Sequence, residues 1–159
     1  MQFLEDWTKE FGHHHQNRMN QVLHQIFVPL LTLSVLGILW CIPTPEFFSL
    51  IPYLNWATVT CSIGLLFWLA MDLKMAFGML VQTIVMIWII SKVDNNPNVP
   101  LLFVSLFLMA ISWGFQMVGH IIEGTHLTLE KNIKFMLIAP IWVLKNLVKS
   151  GGEDLSSPQ

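Results

Sequence analysis

The polar stretch HHHQNRMNQVLHQIFVP, residues 13–29, stands at the start of a long apolar run. Asn17, Asn20 and His24 follow one another at intervals of three and four residues, so they share one face of a helix. Their side chains are carboxamides and an imidazole, which can hydrogen-bond or bind a metal ion. Polar groups in or near a bilayer are costly and tend to mark function.

A second polar row lies near the other end of the chain, in WGFQMVGHIIE, residues 113–123. Gln116, His120 and Glu123 follow at intervals of four and three residues. Two helices that each carry an inward polar row are typical of a bundle whose interior holds a site. The two rows together offer His15, His24, His120 and Glu123. Three imidazoles and a carboxylate suit non-haem Fe(II) or Zn(II), so we predict a metal site between the two stretches.

The same residues have a purely structural interpretation. Rows of Asn and Gln often hydrogen-bond across helices in membranes. A single histidine at a membrane interface is more often a packing or capping residue than a ligand. We favour this interpretation for His13 and His14, and the metal interpretation for the four predicted ligands.

The spacing of two predicted ligands raises a geometric problem. His15 and His24 are nine residues apart, so on one straight helix they would be about 13.5 Å apart along the axis and on opposite sides. Either the helix begins after His15 and the chain folds back, or His15 serves a second metal or the substrate. The sequence leaves both alternatives open.

The composition predicts a membrane protein. Hydrophobic residues make up 54% of the 159 residues, charged residues make up 11%, and the mean hydropathy is +0.60. A soluble domain carries about 25% charged residues, so the charges here are too few to coat a globule. The net charge of -2 with no basic patch argues against nucleic-acid binding. Cys41 and Cys61 lie in apolar runs and indicate no disulfide framework.

The apolar runs predict an all-α fold, a polytopic membrane helix bundle that forms one integral domain over residues 1–159. We expect four transmembrane helices, at about 22–41, 54–71, 75–90 and 101–122. Interfacial helices are predicted at 1–12 and 132–149, although the latter could be half-inserted, and residues 150–159 are predicted to be a disordered tail. Pro29 should kink the first span, and Gly37 offers a small surface for close packing.

The positive residues set the topology of this bundle. With four spans, Lys9, Arg18, Lys74 and the C-terminal lysines lie on one side, and Lys92 lies on the other. Positive residues favour the cytoplasmic side, so both termini are predicted to be cytoplasmic. The start of the first span and the end of the fourth then meet at the same face. A bacterial inner membrane or the endoplasmic reticulum would both fit.

The two polar stretches resemble the motifs of a known protein family. HQNRMNQVLH followed by Pro29 is similar to the H-x-N-x-x-N-x-x-x-H…P motif of the 2-hydroxy fatty acid dioxygenase family, a group of small membrane proteins with a branch in the endoplasmic reticulum. A second family motif is matched by Trp113, Gln116, Gly119, His120 and Glu123. The resemblance spans nearly the whole chain in the same order. The chain departs from the family pattern at residues 127 and 128, where Leu and Thr replace a Pro-Ala pair.

The resemblance implies an Fe(II)-dependent dioxygenase that shortens a 2-hydroxy fatty acid by one carbon with O2, as in fatty acid alpha-oxidation. The catalytic and metal-binding residues would be His15, His24, His120 and Glu123. The groups that orient these ligands or bind substrate would be Asn17, Asn20, Gln116 and Arg18. For Arg18, attraction of the acid and a role as a snorkelling topology anchor are both open.

Two other classes of function are also compatible with the sequence. A redox carrier could bind haem through paired histidines at similar depth on facing helices. A lipid-binding or scaffolding membrane protein would need no metal at all. The sequence makes no prediction of the oligomeric state.

Overall fold

A computed structural model describes residues 17–124, without the side chains of Met71, Met75 and Glu123. Within that range every regular element is helical. The helices are α1 (Arg18–Trp40), a 3-10 helix (Glu46–Leu50), α2 (Trp56–Met71), α3 (Leu73–Asp94) and α4 (Leu101–Glu123). The predicted all-helical class is therefore confirmed for this part of the chain. The predicted helices at 1–12 and 132–149 and the predicted tail lie outside the described residues.

Three of these helices are long and apolar enough to cross a membrane, namely Arg18–Trp40, Ala76–Asp94 within α3 and Leu101–Ile122 within α4. Large apolar side chains on their surfaces are exposed, among them Phe77, Trp88 and Phe103. Such surfaces are stable in lipid and costly in water. With 16 residues, α2 rises about 24 Å, less than the roughly 30 Å of a hydrocarbon core. The four-span arrangement therefore stays a prediction.

The first helix begins four residues before the predicted span. The backbone N–H of Met19 donates to Asn17 Oδ1 at 2.9 Å, and the N–H of Gln21 donates to the Asn17 carbonyl at 3.0 Å. A side-chain oxygen that accepts from the first turn is the usual N-cap arrangement. From this cap, α1 continues through Pro29.

The third helix continues four residues past the predicted end of its span at residue 90, through Asp94. The Trp40 indole N–H donates to Asp94 Oδ2 at 3.0 Å, which ties this last turn to the end of α1. The Asn95 carboxamide donates to the Ser91 carbonyl at 2.6 Å and satisfies one of the last carbonyls of the helix. Tertiary contact therefore extends the helix beyond its apolar stretch.

A single residue, Asp72, separates α2 from α3 in a tight turn. Its N–H donates to the Trp68 carbonyl at 2.9 Å, and its carboxylate accepts from the Lys74 N–H at 2.8 Å. At the other end of α2, Asn55 and Thr58 form a capping box. Two well-capped ends hold a short helix in place although its length is modest.

The chain divides into two compact units, Met1–Val28 with Phe115–Gln159, and Pro29–Gly114. In the second unit all four α-helices contribute to one core. Its buried members are Leu36, Ala57, Met86, Ile90 and Leu101. Close packing at Gly37 is confirmed, since a Cβ there would lie 3.2 Å from the Ser105 Cβ and would meet the Ser105 Oγ.

Candidate metal centre

In the other unit, the first turns of α1 lie against the last turns of α4. His24 and His120 meet there, with ring centroids 5.3 Å apart and ring planes at 67°. The His24 side chain is only 3% exposed, and His120 is partly buried. Two of the four predicted ligands, far apart in sequence, are thus in direct contact. The predicted convergence of the two polar rows is present in the structure for these two residues.

Asn20 lies beside this pair and is fully buried. It faces Gly119, where an added Cβ would overlap Asn20 Oδ1 and would lie 3.3 Å from its Cγ. The same Cβ would lie 3.6 Å from Leu23 Cδ1. The two helices therefore approach closely because residue 119 has no side chain.

One turn further along the same contact, the Gln116 carboxamide donates to the Phe27 carbonyl at 3.4 Å. This is the hydrogen bond across helices that the structural interpretation of the polar rows predicted. The rings of Phe27 and Phe115 stack beside it, with centroids 4.4 Å apart and planes 8° from parallel. The two phenylalanines cannot be singled out in the sequence, because in an apolar helix nothing distinguishes an aromatic residue at a site from one in lipid.

The end of α4 is fixed by glycine. Glu123 is the last helical residue, and Gly124 adopts a positive φ of 69°, with its N–H donating to the Ile121 carbonyl at 3.1 Å. A glycine in the left-handed region is a common helix stop. Glu123 comes one turn after His120 on the same helix, and its side chain is outside the described part of the structure.

The start of α1 bears on the geometric problem of His15. Because α1 begins at Arg18, His15 precedes the helix that carries His24. The start of the helix after His15 agrees with the first half of the first alternative, while the position of His15 and any fold-back of the chain lie outside the described residues. Asn17 caps the helix and Arg18 is exposed at its first position.

The centroid separation of the two imidazoles is compatible with both rings binding one small transition-metal ion. An imidazole nitrogen binds such an ion at about 2.1 Å, so two rings on one ion have centroids roughly 4.5–5.2 Å apart. The observed 5.3 Å is close to this range. Within residues 17–124 no group of three or more His, Cys, Asp or Glu residues lies together. The described part thus supplies two donors, and the other two predicted ligands, His15 and Glu123, are not covered by it.

These observations describe an all-helical region with three helices of membrane-spanning length, and with the buried His24 in contact with the partly buried His120 between its first and last helices. The chain belongs to the Mpo1-like family, since the family model described as 2-hydroxy-palmitic acid dioxygenase Mpo1-like matches residues 1–150. The match confirms the resemblance drawn from the two motifs and includes both polar rows. Searches of curated proteins and of solved structures returned no match.

Proposed function

We propose that this protein is an Fe(II)-dependent dioxygenase that shortens 2-hydroxy fatty acids by one carbon within a membrane. The observation that carries the proposal is the buried contact of His24 with His120 across α1 and α4. The family description supports it by naming a 2-hydroxy fatty acid as the substrate of the family. The apolar helices support a substrate that is itself a lipid.

The residues that would hold the iron are His24 and His120, together with His15 and Glu123. When bound, a ferrous ion would supply the chemistry that activates O2, and it would take the carboxylate and hydroxyl of the acid where protein ligands fill only some of its positions. Both imidazoles must be neutral to bind a cation. Asn20, fully buried against α4, would hold the pair in place.

The overall reaction balances without a further reductant. One 2-hydroxy acid and one O2 give the acid one carbon shorter, carbon dioxide and water. The four electrons that reduce O2 come from the carbon that becomes the new carboxyl group and from the carbon that leaves. The protein would therefore need no electron-donor partner for turnover.

The surroundings of the pair suit a lipid acid. The stacked Phe27 and Phe115 provide an apolar wall one turn from His24, and Phe115 is partly exposed. The acyl chain would lie along this wall in hydrocarbon, with its head group at the imidazoles. Arg18, exposed at the first position of α1, would attract the carboxylate from the membrane surface.

The geometry favours a small ion over haem. Haem bound by two histidines holds the rings on opposite faces of a porphyrin. His24 and His120 contact each other edge to face, which leaves no plane for a porphyrin between them. A metal-free lipid-binding role is the remaining alternative, and turnover separates it from the enzyme.

The proposal is tested with tag-free protein loaded with iron under anaerobic conditions and supplied with 2-hydroxyhexadecanoic acid and O2. We expect pentadecanoic acid, with one O2 consumed for each acid formed. The matched control is 3-hydroxyhexadecanoic acid, which has the same length but cannot present a 2-hydroxyl to the site. Absence of product from the 2-hydroxy acid, or equal turnover of the two acids, would contradict the proposal.

A further inference from the structure

The contact between Asn20 and Gly119 leaves no space for another side-chain atom. A Cβ at residue 119 would overlap the Asn20 amide oxygen and lie 3.3 Å from Cγ. Asn20 is fully buried and Gly119 is buried too, so the carboxamide has no open surface to turn towards. The carboxamide is thus held against the backbone of α4.

Both residues of this contact are directly connected to the imidazoles. Asn20 lies four residues before His24, one turn away on the same face of α1. Gly119 precedes His120 in α4. A helix is stiff over a single turn, so a change in the separation of the helices at Asn20 also changes the separation of the two rings.

We propose that Asn20 is a positioning residue that acts with Gly119 as a spacer and sets the helix separation at which His24 and His120 can share one ion. The inference rests on the proposed metal site and adds to it the contact that fixes its width. Metal–ligand distances must be met within about 0.2 Å, whereas an added methyl group displaces a helix by more than that. A side chain at residue 119 would therefore widen the site.

The spacer predicts the behaviour of a set of four variants. Gly119→Ala should weaken metal binding about tenfold or more, the usual cost of disturbing the groups around a ligand. Asn20→Ala should also weaken it, because the spacer is lost. The double variant should bind more tightly than Gly119→Ala, since the new methyl group enters the space that the carboxamide leaves. Gly114→Ala is the matched control on α4, because no described atom lies within 4 Å of a Cβ there.

Tag-free protein in detergent is titrated with Co2+, and the visible absorption of the bound ion reports its binding. Thermal unfolding of each variant is measured in parallel. If Gly119→Ala binds Co2+ with the affinity and spectrum of the wild type, the spacer proposal is wrong. It is also wrong if the double variant binds Co2+ no more tightly than Gly119→Ala. So would a lower midpoint of unfolding with unchanged Co2+ binding, which indicates packing alone. If Gly119→Ala does not fold, Asn20→Ala decides, since unchanged Co2+ affinity and spectrum there exclude a positioning role.

The outcomes for the wild type separate this inference from the proposed function. Wild-type protein that binds Co2+ and iron while Gly119→Ala binds equally well overturns the spacer and leaves the enzyme intact. Wild-type protein that binds neither ion overturns both. Loss of affinity in Gly119→Ala and its recovery in the double variant support the spacer.

Discussion

His120→Ala is expected to abolish stable iron binding and to lower turnover of 2-hydroxy acids more than about 100-fold. Changes to groups that only support a ligand already cost about 10- to 100-fold in metal affinity, so loss of a ligand should cost more. His120 contacts the buried His24 directly, so both rings belong to the same predicted metal site. Iron content and product formation measure the effect.

The companion variants make this test specific. His24→Ala should lose iron to the same extent, and the double variant should lose little more than either single variant, because one ion depends on both rings. Helix content of each variant, measured by circular dichroism, shows that the fold persists. Full iron occupancy in His120→Ala would exclude His120 as a ligand.

Gly37→Leu is expected to destabilise the unit formed by Pro29–Gly114 by about 2–3 kcal/mol. A side chain at residue 37 would meet the Ser105 hydroxyl and lie within 3.7 Å of Leu101 Cδ1, in a region where Ser105 and Leu101 are both buried. Overpacking of a close helix contact forces side chains or backbone to shift, typically at a cost of 1–3 kcal/mol. Unfolding in mixed detergent micelles measures the loss.

Gly114→Leu provides the control for this prediction. Gly114 is also a helical glycine, but no described atom lies within 4 Å of a Cβ at that position. Its replacement should leave stability unchanged or raise it slightly, since leucine favours a helix over glycine by somewhat less than 1 kcal/mol. Equal unfolding midpoints for the two variants would show that the contact at Gly37 can relax.

The contact between the two polar rows can be predicted from the sequence, because it depends only on the helical repeat and on the order of the helices. The 3.6-residue repeat places Asn20 with His24, and antiparallel ends bring His24 to His120. The sequence could not predict that α3 extends to Asp94, because the hydrogen bond from Trp40 is a tertiary contact between distant residues.

Two contacts between α1 and α4 cannot be predicted from the sequence, for a different physical reason. The stacking of Phe27 on Phe115 depends on helix rotation, which an evenly apolar surface does not encode. The fit of Asn20 against Gly119 depends on helix separation within tenths of an ångström, whereas spacing fixes only the face on which a residue lies. The family motif includes Gly119, but the motif does not indicate that a side chain at this position would overlap Asn20.

The iron content of the wild-type protein decides whether the two polar rows hold a metal ion. The protein should be purified in mild detergent without a histidine tag or a metal column, loaded anaerobically with Fe(II), and freed of excess ion before elemental analysis. We expect about one tightly bound iron per chain. Protein that retains no iron after loading would contradict this expectation, and would indicate that the two polar rows serve only to join α1 to α4.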